Sequence, residues 1–372
     1  QLFLTNAFCV LSNAVETRVG SITAQWEHYF NWLRADDEKQ KIDRAAIRAQ
    51  GTSLEGVIEG LLPQQKLLDY VENFVLYYKD TQKIIAQNHQ FIGVNRAYDV
   101  FLQREELAGK LGVFWHTQGS GKSFSMIFYA RKIFRKQTGN FTFVVVTDRD
   151  DLDGQIYRNF LHTRTVSEAE AAQPKNSEEM RKFLGQNKRI VFTLIQKFRW
   201  DKGREYPELS NRNDIIVIVD EAHRTQYKSL AENMRKGLPR AKFLGFTGTP
   251  LIDAGEKQLT RQVFGDYVSI YDFQRAVADG ATLPLFYENR GEKLKIVDPT
   301  LSQRIAAHIE AARQAATLAD PWTDDKEEKL YRELARDYPI LTSPTRLEKV
   351  AQDFVDHFHQ RWRVVEPGGG KA

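Results

Sequence analysis

Apolar residues are distributed along this chain in contrasting rhythms. Between 110 and 250 they come in short, dense runs: "LGVFWH", "FTFVVVTD", "RIVFTLI" and "DIIVIVD", with a fifth, "KFLGFTGTP", behind them. Runs this short and this rich in β-branched and aromatic residues predict strands buried on both faces. Their alternation with helical or polar stretches predicts a parallel sheet covered by helices on both sides, an α/β architecture. Residues 35–90 carry the helical rhythm instead. In "LLDYVENFVLYY", Leu67, Leu68, Val71, Phe74, Val75 and Tyr78 fall on one face of a helix. Residues 1–30 read as short strands and turns that close on the aromatic cluster Trp26, Tyr29, Phe30 and Trp32. Residues 163–180 and 199–213 read as polar loops, and "PTRLEKVAQDFVDHFHQRW" as an amphipathic helix leading into a Gly-rich linker. There is no internal repeat.

Composition narrows the class without changing it. With 372 residues, 42% hydrophobic and 27% charged, the chain is long enough for two or three globular units. A formal net charge of +4 permits a polyanionic partner and does not demand one. The single cysteine, Cys9, excludes an internal disulfide framework, fits a reducing compartment and reads as a small apolar residue. No apolar run approaches the ~18 residues needed to cross a bilayer, and the start "QLFLTNAF" has no basic n-region, so no membrane partner is expected. The chain lacks an initiator Met and ends on "VVEPGGGKA", so both ends read as cut from something longer.

The chemistry is concentrated at the ends of the dense runs. "WHTQGSGKS", residues 115–123, follows an apolar strand and precedes "KSFSMIFYARKIF", whose Phe124, Ile127, Phe128 and Phe134 form a helical stripe. That is the setting of a phosphate-binding loop, G-x-x-x-x-G-K-[ST], with His116 in place of its first glycine. Thr117, Gln118, Gly119, Ser120 and Gly121 would wrap backbone N–H groups around the β- and γ-phosphates. Lys122 would neutralise them, and Ser123 would offer a hydroxyl to Mg²⁺. "IIVIVDEAH" ends in Asp220 and Glu221 at the mouth of a buried strand. There Asp220 would hold Mg²⁺ largely through water, and Glu221 would orient and deprotonate the attacking water. His223, just beyond, is suited to coupling this site to the rest of a motor. Thr247 and Thr249 of "FLGFTGTP" could sense the γ-phosphate through their hydroxyls, and Gln90 could read an adenine edge.

The order of phosphate loop, DEAH and TGTP resembles the first RecA-like domain of superfamily 2 helicases and translocases. With "VVVTDRDDLDGQI", "TLIQKF", "DEAHRTQY" and "FGDYVSIYDFQRAVADGATLPLFYENR", it looks like the R subunit, motor and nuclease, of type I restriction enzymes. The resemblance covers nearly the whole chain and is strongest over 84–290. It implies an ATP- and Mg²⁺-dependent motor that pulls double-stranded DNA ahead of cleavage at a distance, partnered by methyltransferase and specificity subunits in a bacterial or archaeal cytoplasm. It also implies a division of the chain: 1–34 as the remnant of an N-terminal α/β nuclease domain, 35–85 as helical linker, 86–270 as the RecA-like motor domain, 271–300 as an exit strand region, 301–362 as helical connector and 363–372 as linker. Thr147 and Arg149 after the second strand, and Thr193, Gln196 and Lys197 after the third, are then expected to meet DNA phosphates and sugars.

The nuclease signature of that family, an Asp followed by Glu-x-Lys, has one formal match, Glu327-Glu328-Lys329. It lies in the charge run "TDDKEEK" and reads as a solvated helix, so the nuclease carboxylates are expected upstream of Gln1 and a second motor domain downstream. Two other readings stay open. One is another superfamily 2 motor, such as an RNA helicase or a remodeller. The other is a scaffold whose helices at 40–90 and 300–362 are the point, with nucleotide binding merely structural.

Overall fold

A computed structural model describes residues 5–13, 15–50, 53–148, 150–186, 188–198, 206–222, 227–249, 260–283, 310–311, 314 and 344–364. Arg149, His223 and the Glu327-Glu328-Lys329 run lie outside them. The chain divides into two units, Gln1–Pro284 and Leu285–Ala372. The boundaries drawn from sequence at 34, 85 and 270 all fall inside the first.

The first unit opens with a three-stranded antiparallel sheet: β1 (Cys9–Ser12), β2 (Thr17–Gly20) and β3 (Phe30–Asn31). Three helices follow: α1 (Arg44–Gln50), α2 (Glu55–Gly60) and α3 (Gln64–Asn73). The helix expected through Tyr78 stops at Asn73. Val75–Tyr78 forms β4, which pairs antiparallel with β5 (Gln82–Ile85). Lys79 and Asp80 make the turn with φ of 50° and 60°, a conformation that helical spacing of apolar residues does not announce. Leu68 and Val71, assigned to the apolar face, are 63% and 44% exposed. Tyr70 points inward in their place and forms an aromatic cluster with Trp32, Phe74 and Phe91.

Next come α4 (Asn88–Leu102), β6 (Lys110–His116), α5 (Lys122–Lys136), β7 (Thr142–Thr147), α6 (Asp150–His162), β8 (Ala171–Ala172), α7 (Ser177–Gly185), β9 (Ile190–Leu194), β10 (Ile215–Val219), α8 (Tyr227–Gly237), β11 (Lys242–Thr247), β12 (Tyr267–Tyr271) and α9 (Phe273–Ala278). The two-stranded β4–β5 hairpin aside, the main sheet has seven strands in the order β12-β6-β11-β10-β7-β9-β8, all neighbours parallel. All five dense runs are strands of it; β8 and β12 extend its edges.

The two layers can be read residue by residue. Phe143 and Val145 of β7, with Ile216 and Ile218 of β10, face a core shared with Phe91, Ile127, Phe128 and Phe160 of α4, α5 and α6. Val144 and Val146, with Ile215, Val217 and Val219, face Met180 and Leu184 of α7 and Leu230 and Met234 of α8. Because both faces of each central strand are covered, β10 has room only for apolar side chains, which is why it reads as an unbroken run. This is the RecA-like sheet with helices on both faces. In the second unit, Pro344–Val364 is a helix, α10, with Val350 and Phe354 exposed.

Candidate nucleotide site

In a parallel sheet every strand delivers its following loop to the same edge. β6, β11 and β10 are consecutive neighbours, so the loops after His116, Thr247 and Val219 emerge side by side, within two strand spacings, about 10 Å. The glycine-rich loop, the TGTP turn and the acidic pair therefore share one edge.

The loop of residues 117–121 is held from behind. Gly119 and Gly121 both have φ of 79°, the left-handed region that glycine enters without cost. His89 donates from Nε2 to the Ser120 carbonyl at 2.9 Å, and Gln90 donates from Nε2 to the Gly121 carbonyl at 3.0 Å. Both donors sit in the first turn of α4. Its carbonyls are tied to that helix, and the Thr117 and Ser120 N–H groups donate to the Tyr271 and Thr117 carbonyls at 2.9 and 3.3 Å, so the loop meets the N-terminus of α5 already braced. A Cβ at Gly119 would meet nothing within 4 Å, so that side is open. Lys122 rests its ammonium on the His116 carbonyl at 3.3 Å. A Cβ placed on Gly248 would lie 3.0 Å from Lys122 Nζ and 3.1 Å from Gln118 Cγ, so the loop and the TGTP turn are in contact.

Asp220 is 7% exposed, and its backbone N–H continues the ladder to the Val146 carbonyl. Glu221 takes φ of 52° while its N–H bonds Asp220 Oδ1 at 3.1 Å. A non-glycine residue in the left-handed region is strained. The next residue returns to order, since Ala222 N–H donates to the Phe246 carbonyl at 2.9 Å. The left-handed turn is thus confined to Glu221, between two residues whose N–H groups stay bonded to neighbouring strands. Thr247 is buried, and its hydroxyl both donates to the Thr249 carbonyl (3.0 Å) and accepts from the Thr249 N–H (3.1 Å), so it shapes the turn. Thr249 is exposed.

Several expected roles change in detail. Gln90 accepts from the Gln87 N–H at 2.9 Å as well as holding Gly121, so its amide is a strut of the loop and does not present a free edge to adenine. His116 is the last residue of β6, fully buried, and not part of the cradle. Its Nε2 donates to Ser269 Oγ at 2.7 Å, and Ser269 donates in turn to Glu38, whose other oxygen accepts from the Ile270 N–H at 3.0 Å. Burial holds the His116 pKa well below the ordinary value and brings that of His89 down to about 4, so both are neutral; burial pushes the Glu38 carboxyl up. Thr147 and Thr193 are fully buried rather than displayed to DNA, and the Thr147 hydroxyl donates inward to Asp153 of α6 at 3.4 Å. Gln196 bonds the Asp148 carbonyl at 2.9 Å, and Lys197 bonds the Pro174 carbonyl; both stay partly exposed.

Sequence reasoning missed the wall beside the loop. A pocket of about 310 Å³ opens there, lined by Gln87, His89, Thr117–Ser120, Tyr271 and Asp279, with residues 27–31 opposite. His89 stacks on Tyr271 with ring centroids 3.9 Å apart. Arg34 grips both oxygens of Asp279 at 2.7 Å, locking the wall in place. Nothing in the local pattern around Arg34 or Asp279 signals this pairing. Among the described residues no His, Cys, Asp or Glu group forms a metal cage, so any Mg²⁺ would rely on the phosphates together with Ser123 and Asp220.

A parallel sheet of this order, with a glycine-rich loop at the N-terminus of α5 and an acidic pair on the same edge, is the architecture of an ATPase domain. Residues 89–317 match the SWI2/SNF2 ATPase family, and the chain belongs to that family. It is an ATPase relative of restriction enzymes. It is 38% identical, over 98% of its length, to the endonuclease subunit of the type I restriction enzyme HindI of Haemophilus influenzae. It is 35% identical, over its whole length, to the type I MjaIXP endonuclease subunit of Methanocaldococcus jannaschii. The chain spans about a third of these relatives, 35% and 36% of their lengths. Among solved structures, the UvsW helicase of bacteriophage T4 aligns at 15% identity and a TM-score of 0.41, over 55% of this chain and 67% of that one. No helix among the described residues is long and apolar enough to cross a membrane.

Proposed function

We propose that this chain is the ATP-binding lobe of a type I restriction R subunit. It would hydrolyse ATP with Mg²⁺ to drive double-stranded DNA past a methyltransferase–specificity complex in the cytoplasm. The observation that carries the reading is the convergence of Lys122, Gly248 and the Asp220–Glu221 pair on three adjacent strand ends. Mg²⁺, when bound, would supply charge neutralisation between the phosphates.

The residues present fit that ligand. The N–H groups of Gly119, Gly121, Lys122 and Ser123, with the Lys122 ammonium, would bind the phosphates, and Ser123 and Asp220 would hold Mg²⁺, Asp220 largely through water. Glu221 takes the proton of the attacking water. The pocket beside the loop gives the base and ribose a place against Gln87, His89 and Tyr271. His223 and Thr249 couple the site to motion, with Thr247 fixing the turn that carries Thr249. Gln196, Lys197 and Arg149 are the DNA contacts to test first, while Thr147 and Thr193 join them only if the strand-end loops open.

Glu221→Gln keeps the shape of the side chain and removes its basicity. ATP hydrolysis is expected to fall by about two orders of magnitude or more, with nucleotide binding retained. Fluorescent-nucleotide titration and a phosphate-release assay on the same preparation separate the two. Hydrolysis that survives the substitution would overturn the assignment.

A further inference from the structure

A second polar concavity, of about 470 Å³, lies away from the nucleotide site. It is lined by Arg131, Arg135, Arg164 and Arg189, with Tyr77, Thr165 and one carboxylate, Asp80, also in its wall. Arg131 stands ten positions along α5 from Gly121, about 15 Å down the helix. Arg189 immediately precedes β9, so the concavity belongs to the opposite edge of the main sheet, where the strands begin.

The four cations are not equally compensated. Arg164 pairs with Asp80, and Arg189 pairs with Glu170 at 3.0 Å while lying over the Phe134 ring. Among the described residues Arg135 donates only to a neutral backbone carbonyl, that of Glu72. Arg131 is half-buried and, among the described residues, has no hydrogen-bond or carboxylate partner. Arg131 and Arg135 are also four residues apart on one helix, a spacing at which like charges repel. Burial, and then the charge of Arg135, bring the Arg131 pKa down to about 10. A folded chain that gathers two uncompensated guanidinium groups in one hollow, with two more at its rim, has left room for an anion of about two negative charges.

We propose that this hollow binds a phosphate group. Guanidinium forks match tetrahedral oxyanions in a way that a single ammonium does not, and the Tyr77 and Thr165 hydroxyls can complete the oxygen coordination. The phosphate has two possible sources, a free phosphate ion or the backbone of duplex DNA running outside the motor cleft. The inference does not depend on the nucleotide site, because no arginine lies in residues 117–123.

The test labels the arginines of the unaltered chain with phenylglyoxal and maps them by peptide mass spectrometry, with inorganic phosphate, with a short blunt duplex, and with neither. Slower labelling of Arg131 and Arg135, with Arg261 unaffected, is the expected result. Protection by phosphate alone identifies the free ion as the ligand. Protection by the duplex identifies DNA, and Arg131→Gln with Arg135→Gln should then lower the slope of log affinity against log salt by about 2. Labelling that neither probe slows would overturn the proposal. The labelling arm stands even if the double variant does not fold.

Discussion

His116 Nε2 lies 2.7 Å from Ser269 Oγ beneath the phosphate loop, and neither side chain touches solvent. The residue that departs from the glycine of the loop pattern is therefore a post under the loop. Its carbonyl holds Lys122 and its ring reaches β12, and through Ser269 it reaches Glu38. The nucleotide loop is thus tied to a segment almost eighty residues before it.

Removing that link has a defined cost. Ser269→Ala leaves the His116 N–H and one Glu38 oxygen without their buried partner, which should lower stability by about 1–3 kcal/mol. Urea denaturation at neutral pH, compared with the unaltered chain, measures this. A variant as stable as the parent would mean that the network adds nothing.

Acid should weaken the fold earlier than carboxylate titration alone would. His89 and His116 are held neutral in the folded state by burial, with pKa values below the unfolded value, and His116 Nδ1 has no acceptor for a proton among the described residues. The unfolded chain then binds more protons as pH falls below about 6.5, so stability drops through that window, by up to about 1.4 kcal/mol per pH unit for each histidine, until His89 titrates near 4. Glu38 acts in the opposite sense. Its raised pKa favours the folded state at acid pH, and that contribution is lost as pH rises through the raised value. Denaturation midpoints from pH 7.5 to 5 should fall, and His89→Asn should flatten the slope.

The two loop glycines should respond differently to alanine. At Gly121 a Cβ would sit 2.7 Å from Gln90 Nε2, whereas at Gly119 it would meet open space. Both substitutions force a left-handed alanine, which costs about 1–2 kcal/mol. Gly121→Ala adds displacement of the Gln90 strut, so it should lower the melting temperature more, and adding Gln90→Ala should recover part of that loss. Gly119→Ala should act mainly on nucleotide affinity, which titration with a fluorescent ATP analogue measures.

Arg34 and Asp279 form a nearly buried ion pair, with side chains 8% and 14% exposed. Arg34→Met alone leaves Asp279 uncompensated and should cost about 3 kcal/mol or more, while Arg34→Met with Asp279→Leu should recover much of it. A double-mutant cycle by chemical denaturation gives the coupling. Additive losses would show that the pair does not hold the pocket wall.

The sequence by itself determined the main sheet and the placement of its chemistry. A parallel strand buried on both faces must be continuously apolar, so the five runs could be recognised, and the residues that follow each had to meet at one edge. Glu221 and Lys122 could be assigned to one site because strand direction follows from the helical crossovers between them. Tertiary structure decided what stands behind that edge. Ser269 and Glu38 are 231 positions apart, and Arg34 and Asp279 are 245 apart, so no local period encodes either contact. It also decided the hairpin at 75–85, where aromatic and β-branched residues fit both a helical and a strand period and only the left-handed turn at Lys79 and Asp80 selects the strand. Gln90 carries the same lesson: its amide chemistry was legible, but the partner it serves was fixed only when α4 packed against the loop.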